Sequence, residues 1–251
     1  MIRVLIWNEF YHEQFKEKIQ KVYPEGIHRA LAEFLGREED ISVRTATLYD
    51  EHCGITKEIL DETDVLLWWG HAKHGEVPDE VAELVRDAVL DGMGAIFLHS
   101  AHHSKPFRLL MGTPCHLTWR ESEDREVLWV IDPAHPITRD IDRYFVLPAE
   151  ETYGEPFVIP TPDKLLLIGS YSGGEVFRSV CTFTRGLGRI LYIQPGHETV
   201  PTFHNPYIQK LITNGVYWAA PNCNVPLTCP HEPISPEERR KTGDQPTDYI
   251  R

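Results

Sequence analysis

Three histidine-rich stretches each follow directly on a short apolar run, and imidazoles placed in this way could transfer protons or bind a metal ion. The apolar runs span residues 65–69, 95–98 and 190–193, and each predicts a buried parallel strand. Ligands of open α/β sheets bind beyond the carboxyl ends of such strands, so we expect the histidines along one rim. They are His71, His74, His99, His102, His103 and His197. Because imidazole titrates near neutral pH and binds borderline metal ions, the sequence predicts an active site at this rim.

His197, Glu151 and His103 are the predicted catalytic residues. His197 follows a Pro-Gly turn at the end of a predicted strand, and Glu151 belongs to the acidic stretch 150–155, which has apolar segments on both sides. That stretch has the composition of a solvated loop, but its apolar flanks favour one buried, functional carboxylate. His103 is adjacent to His102, and in an extended loop their rings diverge, so we expect only one of the two to face the pocket.

The same three side chains, His103, His197 and Glu151, are the predicted ligands of a divalent metal ion. Imidazole and carboxylate ligands suit zinc, and three of them leave an open position for water or a substrate carbonyl. No H-E-x-x-H or H-x-H motif occurs, so the ligands would come from separate loops. The sequence therefore leaves metal binding open, with zinc as the favoured ion.

A second set of side chains is predicted to bind substrate. Aromatic rings can stack on the CH faces of a sugar while neighbouring polar groups bind its hydroxyls. The set comprises Trp69, His71, His99, Tyr153 and Glu9. Two members have structural alternatives: His99 could be a core histidine bonded to a backbone carbonyl, and Trp69 could pack in the core, as one of Trp68 and Trp69 must.

The composition restricts the class of protein and its partners. The chain has 251 residues, of which 41% are hydrophobic, as expected of a soluble protein with a core. Its net charge of −13 argues against nucleic acid and anionic membranes as partners. No apolar stretch approaches the ~20 residues that span a bilayer, and the N-terminus has the pattern of a strand rather than of a signal peptide. We therefore predict a cytoplasmic protein.

The five cysteines, an odd number, fit a reducing compartment better than a disulfide framework. Cys223 and Cys229, with His231 nearby, could bind a metal ion, but their spacing does not match a common zinc knuckle. A packed or solvent-facing tail is the favoured interpretation of this segment.

Strands and helices alternate through the first hundred residues, which predicts a parallel, doubly wound α/β sheet. Strands are also predicted at 127–131, 165–168 and 176–184, the last two around a Gly-Gly turn that indicates antiparallel additions at one edge. We expect one α/β domain over residues 1–220 and a Pro-rich tail, 221–251, that could cross a neighbour in a homo-oligomer. No G-x-G-x-x-G follows the first strand, so no nucleotide cofactor is expected.

Five short motifs are distributed over nearly the whole chain. They are Trp7-Asn8-Glu9, Tyr23-Pro24-Glu25-Gly26-Ile27-His28, Trp68-Trp69-Gly70-His71, Leu98-His99-Ser100-Ala101-His102 and Pro195-Gly196-His197-Glu198. Together they resemble the trehalose-utilisation (ThuA-like) family, and the similarity extends over about residues 4–230. The resemblance implies a flavodoxin-like sheet related to class I glutamine amidotransferases. It also implies a link to bacterial use of trehalose and related disaccharides through oxidised 3-keto sugars.

The relation to amidotransferases can be examined at the turn after the predicted strand 95–98. Those enzymes place a Cys nucleophile there, whereas this chain has His-Ser-Ala-His-His at 99–103. Thiolate chemistry needs the thiol, so we do not expect glutamine hydrolysis. Ser100 could replace the Cys with His197 as its base, although a serine at a strand end more often caps a helix or bonds to the backbone.

Two functions remain open. The first is an enzyme acting on a 3-keto disaccharide or glycoside, because a C3 keto group acidifies the neighbouring C–H. His197 or Glu151 would abstract that proton, a histidine or metal ion would stabilise the enediolate oxygen, and elimination or isomerisation would follow. The alternative is a non-catalytic sugar-binding or regulatory module on an amidotransferase-like scaffold, favoured by the missing Cys. The clustered imidazoles and carboxylate exceed what binding a neutral sugar requires, so the enzyme is preferred.

Overall fold

The computed structural model describes residues 1–221, 231 and 233–242, and nine strands of this part of the chain form one sheet. The strands are β1 (Ile2–Asn8), β2 (Ile41–Thr47), β3 (Val65–Trp69), β4 (Gly94–Leu98), β5 (Thr118–Val130), β6 (Tyr144–Gly154), β7 (Lys164–Tyr171), β8 (Val176–Arg185) and β9 (Gly188–Ile193). The helices are α1 (Glu17–Val22), α2 (Ile27–Leu35), α3 (Lys57–Asp61), α4 (Asp79–Leu90), α5 (Lys105–Met111), α6 (Pro206–Ala219) and α7 (Pro236–Thr242). Short 3-10 turns at His12–Gln14 and His99–His103 follow β1 and β4.

The sheet has a parallel half and an antiparallel half. Its strand order is β2-β1-β3-β4-β9-β8-β7-β5-β6. The first five strands in this order pair in parallel. The other four, β8, β7, β5 and β6, each run antiparallel to their neighbours. The predicted flavodoxin-like, doubly wound fold with antiparallel additions at one edge is confirmed, and these additions are four strands wide.

Helices cover both faces of the parallel half. They are needed because its central strands are apolar on both sides and have no face that can be exposed to solvent. Alternate residues of β3 and β4 point to opposite faces. They pack against α2 and α6 on one face and against α4 and α5 on the other. Trp68 and Trp69 are each 1% exposed and belong to opposite faces, where Trp68 stacks on Trp7 with ring centroids 3.9 Å apart.

Side-chain caps fix where two loops of the rim enter the following helices. Ser104 accepts a hydrogen bond from the backbone N–H of Phe107 and begins α5, a helix not predicted from the sequence. Asn205 accepts from the backbone N–H groups of two residues in the first turn of α6, which has Pro206 at its first position. The segments that connect β4 to α5 and β9 to α6 are therefore held at both ends.

Two segments of the antiparallel half differ from the expectation drawn from the sequence. The acidic stretch 150–155 has the composition of a loop, but most of it lies in β6. Strand β5 begins at Thr118 rather than at residue 127. The reason is that β5 and β6 pair as a long antiparallel ribbon, in which the first part of β5 has exposed polar side chains. A strand solvated in this way resembles a loop in composition.

The cysteines Cys53, Cys115 and Cys181 are buried free thiols. Cys223 and Cys229 lie outside the described residues, as does most of the predicted tail, of which α7 is a described portion. Over the described ranges, no helix combines the length and the apolar character that a membrane crossing needs.

Candidate active site

Three histidines converge where adjacent parallel strands end. His71 follows β3, His99 follows β4 and His197 follows β9. The ring centroid of His197 lies 5.4 Å from that of His71 and 5.5 Å from that of His99. The rings of His71 and His99 are 6.2 Å apart. The sheet explains this convergence, because β3, β4 and β9 are neighbours whose carboxyl ends share one edge.

Glu151, His71 and His197 form a group of converging ligand atoms, here called the inner group. One atom from each side chain lies within 4.8 Å of the other two. Glu151 comes from β6 and is 3% exposed. Imidazole nitrogens and a carboxylate oxygen arranged in this way can hold a metal ion or an oxygen atom of a bound molecule.

His103 does not belong to the inner group, which corrects the prediction that it shares a ligand set with His197. His103 ends the 3-10 turn after β4, and its side chain is exposed. Its ring lies 5.7 Å from that of His74 and 5.8 Å from that of His116. The turn directs His103 away from the converging atoms, and His71 takes its place in the ligand set.

Glu198 fixes the orientation of His71. Its Oε1 atom lies 2.9 Å from Nδ1 of His71 and 2.9 Å from Nδ1 of His12. Burial opposes ionisation of Glu198, but the two imidazoles outweigh it and hold the pKa of the carboxyl far below its usual range. The carboxylate therefore accepts from Nδ1–H of His71 and leaves Nε2 available. His12 was not predicted, although it follows β1 as the other histidines follow their strands.

His99 supports Glu151 and is not accessible to a substrate. It is completely buried, and its φ of +54° marks a strained turn directly after β4. Its Nδ1–H donates to the carbonyl of Gln194 at 2.8 Å, and its Nε2 lies 3.0 Å from Oε2 of Glu151. The predicted substrate-binding role of His99 is therefore corrected to a positioning role.

The two members of this buried pair shift each other's pKa in opposite directions. Burial alone would lower the pKa of His99, but the adjacent Glu151 carboxylate raises it above its ordinary value. Burial alone would raise the pKa of Glu151, but His99 lowers it below its ordinary value. The contact therefore favours the charged form of both partners.

Glu150 anchors the turn that carries His197. Its carboxylate accepts hydrogen bonds from the backbone N–H groups of Gly196 and His197, both at 3.1 Å, and from the Thr202 hydroxyl at 2.6 Å. Burial raises the pKa of Glu150. Gly196 has a φ of +148°, and a Cβ atom there would lie 2.7 Å from Cζ of Phe203. The turn therefore requires glycine.

Two predicted substrate ligands, Glu9 and Trp69, have structural roles instead. Glu9 accepts hydrogen bonds from the backbone N–H groups of residues 71–73 at 2.7 to 2.9 Å, so both of its oxygens are occupied. Trp69 is 1% exposed and donates its Nε1–H to the carbonyl of Gly196 at 3.0 Å. Glu9 therefore holds the loop that carries His71, and Trp69 holds the turn after β9. The predicted substrate-binding roles of both residues are corrected accordingly.

Ser100 is not paired with a histidine. Its hydroxyl donates to the carbonyl of Gly70 at 2.7 Å. Nδ1 of His197 lies 2.8 Å from Oγ1 of Thr199 instead. The nucleophile pair of Ser100 and His197, an alternative left open by the sequence, is therefore not formed.

A cavity of about 380 Å³ opens beside the inner group. Its lining residues are His71, His74, Ser100, His102, His103, His116, Leu117, Trp119, Glu121, Glu151 and Tyr153. Four predicted site residues are among them, namely His71, His103, Glu151 and Tyr153. Both members of the adjacent pair 102–103 line the cavity, whereas the sequence predicts only one.

Aromatic side chains lie at two places in the cavity wall. Tyr153 is buried and stacks on His99, with ring centroids 5.0 Å apart. Trp119 is 64% exposed, so its ring is open to a ligand. Trp119 and His116 were not predicted as site residues, because Trp119 lies in the polar first part of β5 and His116 just before it, where no apolar run gives a signal.

Four histidines of this region have lowered pKa values and are neutral at pH 7. Burial lowers the pKa of His74 and of His102 to about 3 each, and that of His197 to about 4. Burial and the charge of Arg108 lower the pKa of His103. The site therefore combines neutral imidazoles, which can accept protons, with buried acidic side chains.

The fold and the site define a flavodoxin-like α/β protein with a cavity of histidines and carboxylates at the carboxyl edge of its parallel strands. A family model described as "ThuA: Trehalose utilisation" matches residues 3–219. The chain belongs to this trehalose-utilisation family, as the resemblance of its motifs predicts. No relative of the chain was found among curated proteins.

Solved structures of similar proteins share the fold. A ThuA-like protein from Bacteroides uniformis ATCC 8492 has a TM-score of 0.64 at 16% identity, over 86% of this chain and 90% of that one. A ThuA-like protein from Parabacteroides merdae ATCC 43184 has the same score and identity, over 90% of this chain and 93% of that one. A cytoplasmic protein from Salmonella typhimurium has a TM-score of 0.58 at 13% identity, over 88% of this chain and 100% of that one. Identities this low show similarity of fold alone.

Proposed function

We propose that this chain is an enzyme that acts on a small oxidised carbohydrate, a 3-keto disaccharide or glycoside, by proton abstraction. Membership of the trehalose-utilisation family supports a carbohydrate-related role. The observation that carries the proposal is the cavity in which neutral imidazoles lie beside the inner group of His71, Glu151 and His197. A site that only bound a neutral sugar would need hydroxyl contacts and aromatic surfaces, but not this set of titratable groups.

The proposed reaction begins at the carbon next to the keto group. A keto group at C3 acidifies the C2–H, so a base can remove that proton and leave an enediolate. In an elimination, the electron pair then expels the glycosidic oxygen from C1, and this oxygen takes up a proton. In an isomerisation, a proton returns to another carbon of the sugar instead. Neither route needs the paired carboxylates of ordinary glycosidases, and neither changes the overall oxidation state.

His103 is the side chain that we assign as the base. It is exposed on the cavity wall, and its lowered pKa keeps it neutral at pH 7. Glu151 and His197 are less suited to this step than the sequence indicates. Glu151 is paired with His99, and both Glu151 and His197 converge on one point with His71.

At the inner group, an N–H of His197 or a bound cation would stabilise the carbonyl oxygen on which negative charge develops, since the Glu151 carboxylate can only accept hydrogen bonds. Preorganised donors at such a position are among the largest contributions to catalysis. His99 faces the Glu151 carboxylate there, with its Nε2 3.0 Å from Oε2. Trp119 and Tyr153 would provide aromatic surface for the CH faces of the sugar.

The test is to incubate the protein with 3-ketotrehalose and to follow products by mass spectrometry and NMR. The wild type should convert the sugar, and His103→Gln should lower the rate roughly 100-fold or more, as removal of a general base does. His204→Gln is the matched control, because His204 is exposed, contacts the carbonyl of Val22 and does not line the cavity. It should convert the sugar at the wild-type rate.

Two results would overturn the proposal. If the sugar binds but stays unchanged over hours, the chain is the sugar-binding or regulatory module that the sequence leaves as the alternative. If the wild type and His103→Gln convert the sugar equally, the assignment of the base is wrong. Location in the cytoplasm and assembly into a homo-oligomer stay predictions, which cell fractionation and light scattering can test.

A further inference from the structure

We infer that the chain binds one divalent transition-metal ion, with zinc as the favoured ion, through His71, Glu151 and His197. One ligand atom from each side chain lies within 4.8 Å of the other two. Zinc holds nitrogen and oxygen ligands at about 2.0–2.2 Å, which places the ligand atoms about 3.5 Å apart. Binding therefore requires only a small inward movement of the three side chains. Two imidazoles and one carboxylate suit zinc and its neighbours, whereas calcium and magnesium prefer oxygen ligands alone.

Both histidines of this set are oriented by another residue, which is the arrangement typical of metal centres. Nδ1 of His71 is held by Glu198 at 2.9 Å, which leaves Nε2 for an ion. Nδ1 of His197 contacts Thr199, at 2.8 Å from Oγ1 and 3.4 Å from the backbone N, so Nε2 is the nitrogen left for an ion. The loops after β3 and β9 thus present imidazoles that are already oriented before an ion arrives.

Two buried carboxylate oxygens beside the inner group lack a hydrogen-bond donor. They are Oε2 of Glu151 and Oε2 of Glu198. Nε2 of His99 is 3.0 Å from the first of these, but the contact is not aligned as a hydrogen bond. Unpaired carboxylate oxygens are costly to bury, and a cation would offset that cost.

A second group, formed by His12, His71 and Glu198, also brings three ligand atoms within reach of one another. Its contacts are already satisfied, because Nδ1 of both histidines lies 2.9 Å from Oε1 of Glu198. An ion there would have to displace these hydrogen bonds, whereas an ion at the inner group would leave them intact. The inner group is therefore the assigned site, and Glu198 supports it.

Three protein ligands leave positions open for water or for the carbonyl of a bound molecule. An ion held there would polarise that carbonyl, which is the chemistry that a proton abstraction next to it needs. This catalytic role of the ion rests on the proposed function, whereas metal binding itself can be measured without a sugar. The two proposals can therefore fail separately.

The test uses full-length protein without an affinity tag, freed of metal with a chelator and then titrated with Zn²⁺ by calorimetry. The wild type should bind about one equivalent, and His71→Ala and Glu151→Gln should each weaken binding at least about 100-fold. His103 is a ligand in the set predicted from the sequence but not in the set assigned from the structure. His103→Ala should therefore bind Zn²⁺ as the wild type does. Circular dichroism of each variant checks that it is folded.

A second measurement does not depend on any variant. The wild type titrated with Co²⁺ should develop the visible absorption of a four- or five-coordinate ion with nitrogen ligands. The weak spectrum of a six-coordinate, water-rich ion would overturn the inference. So would Zn²⁺ binding that His71→Ala and Glu151→Gln leave unchanged, because the ion would then occupy another part of the surface.

Discussion

Glu198 and His71 are joined by a contact of 2.9 Å between Oε1 and Nδ1, although the two residues are 127 positions apart in the sequence. The contact connects the loop after β9 to the loop after β3. A carboxylate oxygen can only accept, so it selects the tautomer of His71 that carries a proton on Nδ1. The contact therefore decides which nitrogen of His71 is available for chemistry.

Replacing Glu198 by Gln should lower the rate of sugar conversion about 10- to 100-fold, because the amide can present a donor to Nδ1 and release the ring from one tautomer. The kinetics with 3-ketotrehalose measure this effect. Glu33→Gln is the matched control, since Glu33 is exposed on α2 and pairs only with Arg37 at 2.7 Å. Equal rates for wild type and Glu198→Gln would show that the contact has no role in catalysis.

Replacing Glu150 by Ala should destabilise the protein by about 3 kcal/mol, because three donors would lose their acceptor in a buried environment. The donors are the N–H groups of Gly196 and His197 and the hydroxyl of Thr202. Urea unfolding measures the change. Glu33→Ala, at an exposed site, should alter stability by less than about 0.5 kcal/mol. A loss below about 1 kcal/mol in Glu150→Ala would contradict the anchoring role.

Replacing Gly196 by Ala should reduce both stability and turnover. Its φ of +148° disfavours a side chain, and the added Cβ would meet Phe203 at 2.7 Å. Either effect displaces the turn that carries His197, and the expected loss of stability is about 2 kcal/mol. Gly75→Ala is the control, because a Cβ there meets nothing within 4 Å. Thermal unfolding and kinetics of the two variants should therefore differ clearly, and equal behaviour would show that the turn tolerates a side chain.

Stability should fall as the pH is lowered from about 6.5 to about 4, in part because of His28, whose pKa burial lowers from 6.5 to about 4. In that window the unfolded chain binds a proton at His28 and the folded chain does not, so protonation favours unfolding. The contribution of His28 is at most about 3 kcal/mol and is reduced by solvent screening.

Urea unfolding as a function of pH measures this effect. His28→Gln keeps an acceptor for the amide of Asn8, which lies 3.0 Å from Nδ1 of His28, but cannot titrate. The difference in stability between wild type and variant should change between pH 6.5 and 4, the interval between the two pKa values. A difference that stays constant across this interval would contradict the buried, neutral state of His28.

The parallel half of the fold could be predicted because its strands are continuous apolar runs. His71 and His197 directly follow two of these runs, so their place at the rim could be predicted as well. The antiparallel half was harder, because the start of β5 is solvated and polar. Trp119 and His116 line the cavity from that half and were therefore missed.

The partners of the buried carboxylates could not be predicted from the sequence. Glu9 holds a loop, Glu150 holds a turn and Glu198 orients His71, yet all three look like ordinary acidic residues in the chain. Which backbone N–H groups a carboxylate meets depends on the positions of strands that are far apart in sequence. The contacts of Glu9 with the loop of residues 71–73 were missed for this reason.

The central claim is proton abstraction next to a keto group, and solvent deuterium exchange tests it most directly. 3-Ketotrehalose is incubated in D₂O with the protein, and NMR follows the C2 proton. The wild type should exchange or transfer this hydrogen much faster than buffer alone. His103→Gln should do so roughly 100-fold more slowly than the wild type. Unoxidised trehalose should not exchange its C2 hydrogen. Sugar that binds the wild type but acquires deuterium no faster than in buffer would contradict the account.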